Sequence, residues 1–394
     1  MNDLSNKDHR TKINPSKPQG ASHDGRGSRV AAERPSLITG GAGFIGTNLA
    51  HRLLSGGKPV LLFDNLSRPG VERNVAWLRK THGSRIRIEV ADINDRSALR
   101  RSIKQASHVF HLAAQVAVTT SLENPIHDFE VNLLGTLYLL EELRRVKNPP
   151  PLILSSTNKV YGCLLDIELQ RNGTRYEPLD PAIRSNGISE DRHLDFQSPY
   201  GCSKGAADQY VLDYARTFGI HAVVFRMSCI YGPHQFGTED QGWVAHFLIR
   251  ALKHQPITLY GDGMQVRDIL FVDDLVNAFL LALANIEKLS GHAFNVGGGP
   301  DNTISLLELL QLIGGLHEKE PHVRFSSWRP GDQRYYVSDF RKFHAKTGWL
   351  PRIPVLEGVE RLHGWLLESH GIFESKRPKR AAWNTKHKQQ SVTV

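Results

Sequence analysis

The chain has 394 residues, 40% hydrophobic and 23% charged, which excludes a disordered or fibrous protein and suits one large domain or two closely joined ones. Its net charge of +9 suggests a polyanion partner until it is located: residues 1–34 carry +3 and residues 375–394 carry +6, so the body is near neutral. Three cysteines, Cys163, Cys202 and Cys229, are too few and too irregularly spaced for a disulfide framework or a zinc site, and no apolar run suits a membrane span or a signal peptide. The expectation is a soluble cytoplasmic protein with no metal, no nucleic-acid partner and no membrane partner.

Residues 1–34, rich in Ser, Gly, Asn, Lys and Pro, read as a disordered tail. Pro35–Thr39 is a short apolar strand that stops at glycines; a helix is expected over about Gly43–Leu54 and a second strand over Pro59–Phe63, ending at Asp64. Strand-like runs recur at Ile86–Val90, His108–Leu112, Leu152–Ser155 and His221–Phe225, separated by amphipathic helical sequence such as Phe129–Arg145 and Ser203–Phe218. This alternation predicts an α/β fold, a doubly wound parallel sheet over 35–225 with return segments near 265–298. Beyond Arg226 the rhythm loosens into a helix near Val244–Leu252, a glycine-rich strand-turn at Tyr260–Gly263, and helices near Ser305–Ile313 and Leu356–Glu368. That portion, 226–370, is expected to form a smaller lobe that closes over the carboxyl ends of the strands and supplies substrate contacts. Residues 371–394 read as a second disordered tail, strongly basic.

Thr39-Gly40-Gly41-Ala42-Gly43-Phe44-Ile45-Gly46 follows a predicted strand and opens a predicted helix, the setting in which a glycine fingerprint marks a Rossmann dinucleotide site. Gly40 permits the tight turn, Gly43 admits a pyrophosphate to the N–H groups of the helix start at Phe44 and Ile45, and Gly46 allows close packing of the helix. Asp64, followed by Asn65, ends the second strand about 20 residues on, where a carboxylate accepts both adenosine ribose hydroxyls and repels a 2′-phosphate. NAD is therefore expected rather than NADP. Asp92 and Ile93 after the third strand are placed to meet adenine, and Ala113, Ala114 and Gln115 after the fourth let backbone approach the pyrophosphate side.

Tyr200-Gly201-Cys202-Ser203-Lys204 sets a Tyr and a Lys four apart at a helix start, on one face. To accept a proton from a substrate hydroxyl, tyrosine must ionise well below its usual value of about 10, and a nearby ammonium with a positive nicotinamide is expected to lower it. Lys204 can also hold the nicotinamide ribose. Thr157, in the run Ser155-Ser156-Thr157-Asn158-Lys159-Val160-Tyr161-Gly162 past a strand end, can hydrogen-bond the same hydroxyl, with Ser155 on the cofactor side.

These three motifs, in this order, resemble the extended short-chain dehydrogenase/reductase family of nucleotide-sugar epimerases and dehydratases, over roughly residues 36–370. The resemblance implies a tightly held NAD, a nucleotide-sugar substrate, the catalytic roles of Thr157, Tyr200 and Lys204, and homodimers or homotetramers built on helices near 129–145 and 203–218. It also implies that Arg267, within Gly261–Asp268, binds phosphate and that Arg329-Pro330-Gly331-Asp332 supplies a second arginine and a ribose-binding acid. Guanidinium groups suit a diphosphate.

Dehydratases of that family carry Thr-Asp-Glu where this chain has Thr157-Asn158-Lys159, and an amide with an ammonium cannot do the acid–base work of eliminating water. The wording of Ser155–Gly162, Ser198–Tyr210 and Asp240–Val244 resembles the branch that inverts C2 of a CDP-linked sugar, which implies substrate contacts from Asn158, Gln241 and Trp243 beside Thr157. The stretch from Tyr161 to Tyr200 is longer than in 4-epimerases, and Cys229, in Arg226–Pro233, stands where the family has Asn. The expected chemistry is removal of the C2 hydroxyl proton by Tyr200 and of the C2 hydride by NAD, turning of the 2-keto sugar, and return of hydride to its other face. The alternatives are a 4-epimerase of UDP-, GDP- or CDP-sugars, a 4,6-dehydratase, a non-catalytic NAD-binding regulator, and a polyanion binder acting through the tails. Against the regulator stand Thr157, Tyr200 and Lys204 together, since a sensor needs no proton acceptor.

Overall fold

A computed structural model of the chain describes residues 33–329 and 331–370. The expected tails, but for Glu33 and Arg34, lie outside the described residues, as does Pro330. Seven strands form one parallel sheet in the spatial order Ile86–Val90, Val60–Asp64, Ser36–Thr39, His108–His111, Leu152–Thr157, Ala222–Met227, His292–Val296. The chain winds outward in both directions from Ser36–Thr39, so a crevice opens at the strand ends between it and His108–His111. Central strands of such a sheet are covered on both faces and read as continuous apolar runs; Ser36–Thr39 and Leu152–Thr157 are buried throughout. Alternate side chains serve two cores: Ile38, Leu62, Phe110 and Ile153 pack in one cluster, Leu37, Leu61, Val109 and Leu152 in the other.

Several local boundaries differ from expectation, and those around the site matter most. The strand expected to stop at Ser155 runs to Thr157, and that expected over His221–Phe225 runs to Met227, past the domain boundary drawn at 225. The helix expected from Ser203 starts at Ser198, with Pro199 in its first turn where its missing N–H costs nothing, so Tyr200 and Lys204 both lie inside it. The single helix expected over Phe129–Arg145 is broken into Pro125–Phe129, a π-helical segment Glu130–Leu134, and Gly135–Arg144. One inserted residue leaves the apolar pattern nearly intact, which is why periodicity missed it.

Other strands build a smaller set of sheets. Val266–Phe271 pairs with Cys229–Tyr231, Thr303–Ser305 and Tyr335–Tyr336, while Ile257–Tyr260 pairs with Val323–Ser326. The long stretch before Tyr200 folds into the hairpin Leu169–Asn172 and Arg175–Pro178. It is pinned by Arg175 Nε on Glu308 (2.7 Å) and by the Tyr176 hydroxyl on Asp262 (2.5 Å). No described helix is long and apolar enough to cross a membrane.

Candidate active site

The glycine loop sits at the point where strand order reverses. Gly40 has φ +65°, and a Cβ there would stand 2.7 Å from the Ala113 nitrogen; a Cβ on Gly46 would stand 2.6 Å from the Gly40 oxygen. Loop, helix start and the 112–113 segment therefore meet backbone to backbone. The helix Phe44–Ser55 has no side-chain cap, so its first-turn N–H groups and the positive end of its dipole are left for an anion. A cavity of about 390 Å³ opens there, lined by every residue expected to hold the cofactor, from Gly40 to Lys204.

Individual contacts refine these roles. Asp64 accepts from the N–H groups of Ala42 (3.0 Å) and Leu66 (2.9 Å), which braces the carboxylate at the strand end, while burial pushes its carboxyl up. Asn65 Nδ2 donates to Asp92 (2.8 Å), joining the two acidic segments. Two expectations need adjustment. The Gln115 amide closes on the main chain of Ala117 at 2.9 and 3.1 Å, and the Ser155 hydroxyl turns into the sheet to His111 O (3.1 Å). Both residues reach the cavity, but their side-chain groups are already engaged; Ser155 serves the site through its carbonyl, which accepts from Lys204 Nζ (2.6 Å).

Tyr200 and Lys204 are 8% and 4% exposed. Burial pushes the Tyr200 hydroxyl up to about 12, with a hydrogen bond from Thr157 working against it and the Asp128 charge adding to it. Burial pulls Lys204 down to about 8, opposed by Asp208 and Asp128. The expected lowering of tyrosine by lysine is thus absent from the protein's own groups: the ammonium is turned to Ser155 O, and the Asp128 charge pushes the tyrosine further up. Positive charge entering the cavity would favour the ionised tyrosine.

A buried polar network, invisible in the sequence, supports the pair. The Ser203 hydroxyl donates to Asp128, Asn132 Nδ2 donates to Asp128 and Ser203 (both 3.1 Å), and Asn132 Oδ1 accepts from Gln115 N–H (2.9 Å). Asn132 lies in the π segment, so the inserted residue is what turns it toward the catalytic helix.

A second cavity of about 380 Å³ shares Phe44, Ile45, Ser156, Tyr200, Gln235 and Gln241 with the first. Every residue expected to meet substrate lines it: Thr157, Asn158, Gln241 and Trp243, then Arg267, Arg329 and Asp332. Arg267 and Asp332, assigned to phosphate and ribose, are ion-paired to each other (2.8 Å). Arg329 lies over Tyr260 (3.8 Å) and is paired with Asp240 (3.4 Å). Cys229 lies in this wall and accepts from Trp243 Nε1 (3.4 Å). Gln241 accepts from Arg68 (2.5 Å), a residue of the cofactor cavity that the sequence did not single out.

The fold and these paired cavities define a class. The NAD dependent epimerase/dehydratase family matches residues 36–297, and the chain belongs to that family. Among curated relatives it is 44% identical to a CDP-paratose 2-epimerase of Salmonella typhi, over 84% of this chain and 98% of the relative. A putative UDP-glucose 4-epimerase of Methanocaldococcus jannaschii is 30% identical over 84% and 97%. Among solved structures, Thermotoga maritima UDP-glucose 4-epimerase with UDP-glucose has a TM-score of 0.72 at 30% identity, covering 85% of this chain and 99% of its own. Bacillus cereus UDP-glucuronic acid 4-epimerase, in complex with UDP-glucuronic acid and NAD, has 0.73 at 27%, with the same coverage.

Proposed function

We propose that the protein is an NAD-dependent nucleotide-sugar 2-epimerase that interconverts CDP-paratose and CDP-tyvelose. The observation that carries this reading is the position of Tyr200 in the wall common to both cavities, with Thr157 and Asn158-Lys159, which stand where dehydratases carry two acids, lining the second cavity beside it. The 44% identity to a 2-epimerase supports the sugar and the carbon. The glycine cradle and braced Asp64 fit NAD, and the carboxylate disfavours the extra phosphate of NADP.

When bound, NAD would supply the hydride acceptor and donor for C2, held by the glycine loop and Asp64. Tyr200 accepts the C2 hydroxyl proton and gives it back, and Thr157 aligns that hydroxyl. Lys204 orients the nicotinamide ribose from its anchor on Ser155 O. Arg267 and Arg329 hold the diphosphate, which displaces their carboxylate partners. Trp243 flanks the base or the sugar. The 2-keto sugar turns between the two hydride transfers, so its opposite face is reduced. In this reading residues 35–225 with 265–298 form the cofactor domain and 226–370 the substrate lobe. A homodimer or homotetramer is supported by exposed Phe129, Tyr210 and Phe218 in the segments expected to pair.

The test is NMR of purified protein in deuterated water with CDP-paratose, following the coupling at C2. Wild type is expected to produce CDP-tyvelose with little deuterium at C2, and Tyr200→Phe to retain NAD while kcat falls by about 10²–10⁴. No conversion with NAD bound would discard the 2-epimerase reading and direct attention to UDP- and GDP-sugars.

A further inference from the structure

Lys159 lies in the 3-10 turn Asn158–Tyr161, capped by Thr157. Its main-chain N–H donates to Thr157 Oγ1 (3.2 Å), and its carbonyl oxygen faces Gly201, where a Cβ would be 3.5 Å away. The residue is thus wedged between Thr157 and the first turn of the Tyr200 helix, and it lines the substrate cavity.

Among the described residues its ammonium donates to one acceptor, the neutral Gln333 Oε1 (3.2 Å), which Asn158 Nδ2 also uses (3.3 Å). The Gln333 amide cannot turn to offer more, because its Nε2 is fixed on Gly162 O (2.6 Å). Among the described residues Lys159 forms no ion pair, whereas Arg267 has Asp332 and Arg329 has Asp240. Burial first, then the neighbouring cation Arg267, pull the ammonium below the ordinary lysine range, with Asp332 opposing. An ammonium set beside a guanidinium and held by a single amide oxygen is a site short of an anion.

We propose that Lys159 binds the phosphate attached to the sugar and thereby selects C2 as the carbon that reacts. This rests on the nucleotide-sugar reading above. In such a substrate the terminal phosphate is bonded through oxygen to C1; C2 is the adjacent carbon, and C4 lies across the ring. A phosphate anchor on the residue hydrogen-bonded to Thr157 brings C1, and with it C2, to Tyr200. An anchor remote from Thr157 would leave the ring's full length between phosphate and Tyr200 and present C4.

The test titrates wild-type, Lys159→Met, Lys159→Gln and Lys159→Arg holoenzymes with CDP and CMP, which differ by the phosphate in question, and measures kcat and KM for CDP-paratose. Wild type should bind CDP more tightly than CMP. The two neutral variants should lose roughly tenfold or more of that advantage while CMP affinity holds, and kcat/KM should fall roughly 10- to 100-fold; Lys159→Arg should keep most of both. A purely structural role would move CMP and CDP together. An undiminished CDP advantage in a folded neutral variant overturns the inference alone. Wild type that inverts C4 and never C2 overturns the function it rests on, and shows this without any variant.

Discussion

For the proton transfer proposed for it, Tyr200 carries the wrong acidity until positive charge enters the cavity. Its hydroxyl is pushed up to about 12, and the nearest lysine does not offset this. The Tyr-x-x-x-Lys spacing was legible because the chemistry demands those two residue types one turn apart. The sign of the shift was not, since it depends on burial and on Asp128 from a distant helix. The glycine loop was legible for a related reason: Gly43 and Gly46 are specified by contacts within a few positions, although Gly40 also meets the backbone of Leu112 and Ala113. It also supplies a sharp test. Gly46→Ala puts a methyl 2.6 Å from Gly40 O and 2.7 Å from Gly41 Cα, all backbone and unable to yield. The variant should lose about 1–3 kcal/mol of stability and copurify with less NAD by its absorbance ratio. Gly364→Ala, with nothing within 4 Å of the added carbon, is the matched control and should retain the cofactor.

Between elements, the helix Ser198–Phe218 is held to the sheet by a buried ion pair. Asp208, fully buried, accepts from Arg226 Nε (2.9 Å) and NH2 (3.0 Å) and from the Ser156 hydroxyl (2.9 Å). Arg226 also lies over the Tyr161 ring (5.5 Å), so the pair joins helix, strand and the turn after Thr157. Asp208→Asn leaves the guanidinium without its counter-charge and should cost about 3–5 kcal/mol, read as a lower midpoint in urea. Asp208 also holds the Lys204 ammonium up, so in the variant Lys204 should titrate below about 8. A midpoint within error of wild type would mean the pair is structurally idle. The sequence showed Arg226 and Asp208 only as members of family-like runs, because their partnership spans a helix and a strand that no local pattern connects. The second sheet escaped for the same reason: Cys229–Tyr231 is three residues long and its partner is Ile269–Phe271.

At the scale of the whole molecule, buried imidazoles set a lower limit on pH. Burial pulls His111 down to about 3 and His234 and His363 to about 4, all below the ordinary 6.5. A group whose folded value is lowered takes up protons on unfolding, so its contribution is intact above pH 6.5 and is lost as pH falls toward 4. Thermal melts should show Tm falling by roughly 5 °C or more between pH 7 and pH 5; a flat profile would mean these histidines are reached by water in the folded state. Six of the seven strands of the main sheet were readable because strands covered on both faces are apolar nearly throughout; the seventh, His292–Val296, fell only within the return segments expected near 265–298. The partner sheets were not readable, since their strands are short, mixed in direction and bounded by loops.

Gln241 belongs to the walls of both cavities, and its hydrogen bond to Arg68 ties the substrate side to the cofactor side. In evolutionary terms the two preferences are therefore linked traits. Under the proposed function, a descendant that rewrites this segment to accept another nucleotide sugar is expected to alter its grip on the dinucleotide as well. Substrate range is freer to drift at positions such as Thr119 and Leu306, which face the substrate cavity alone.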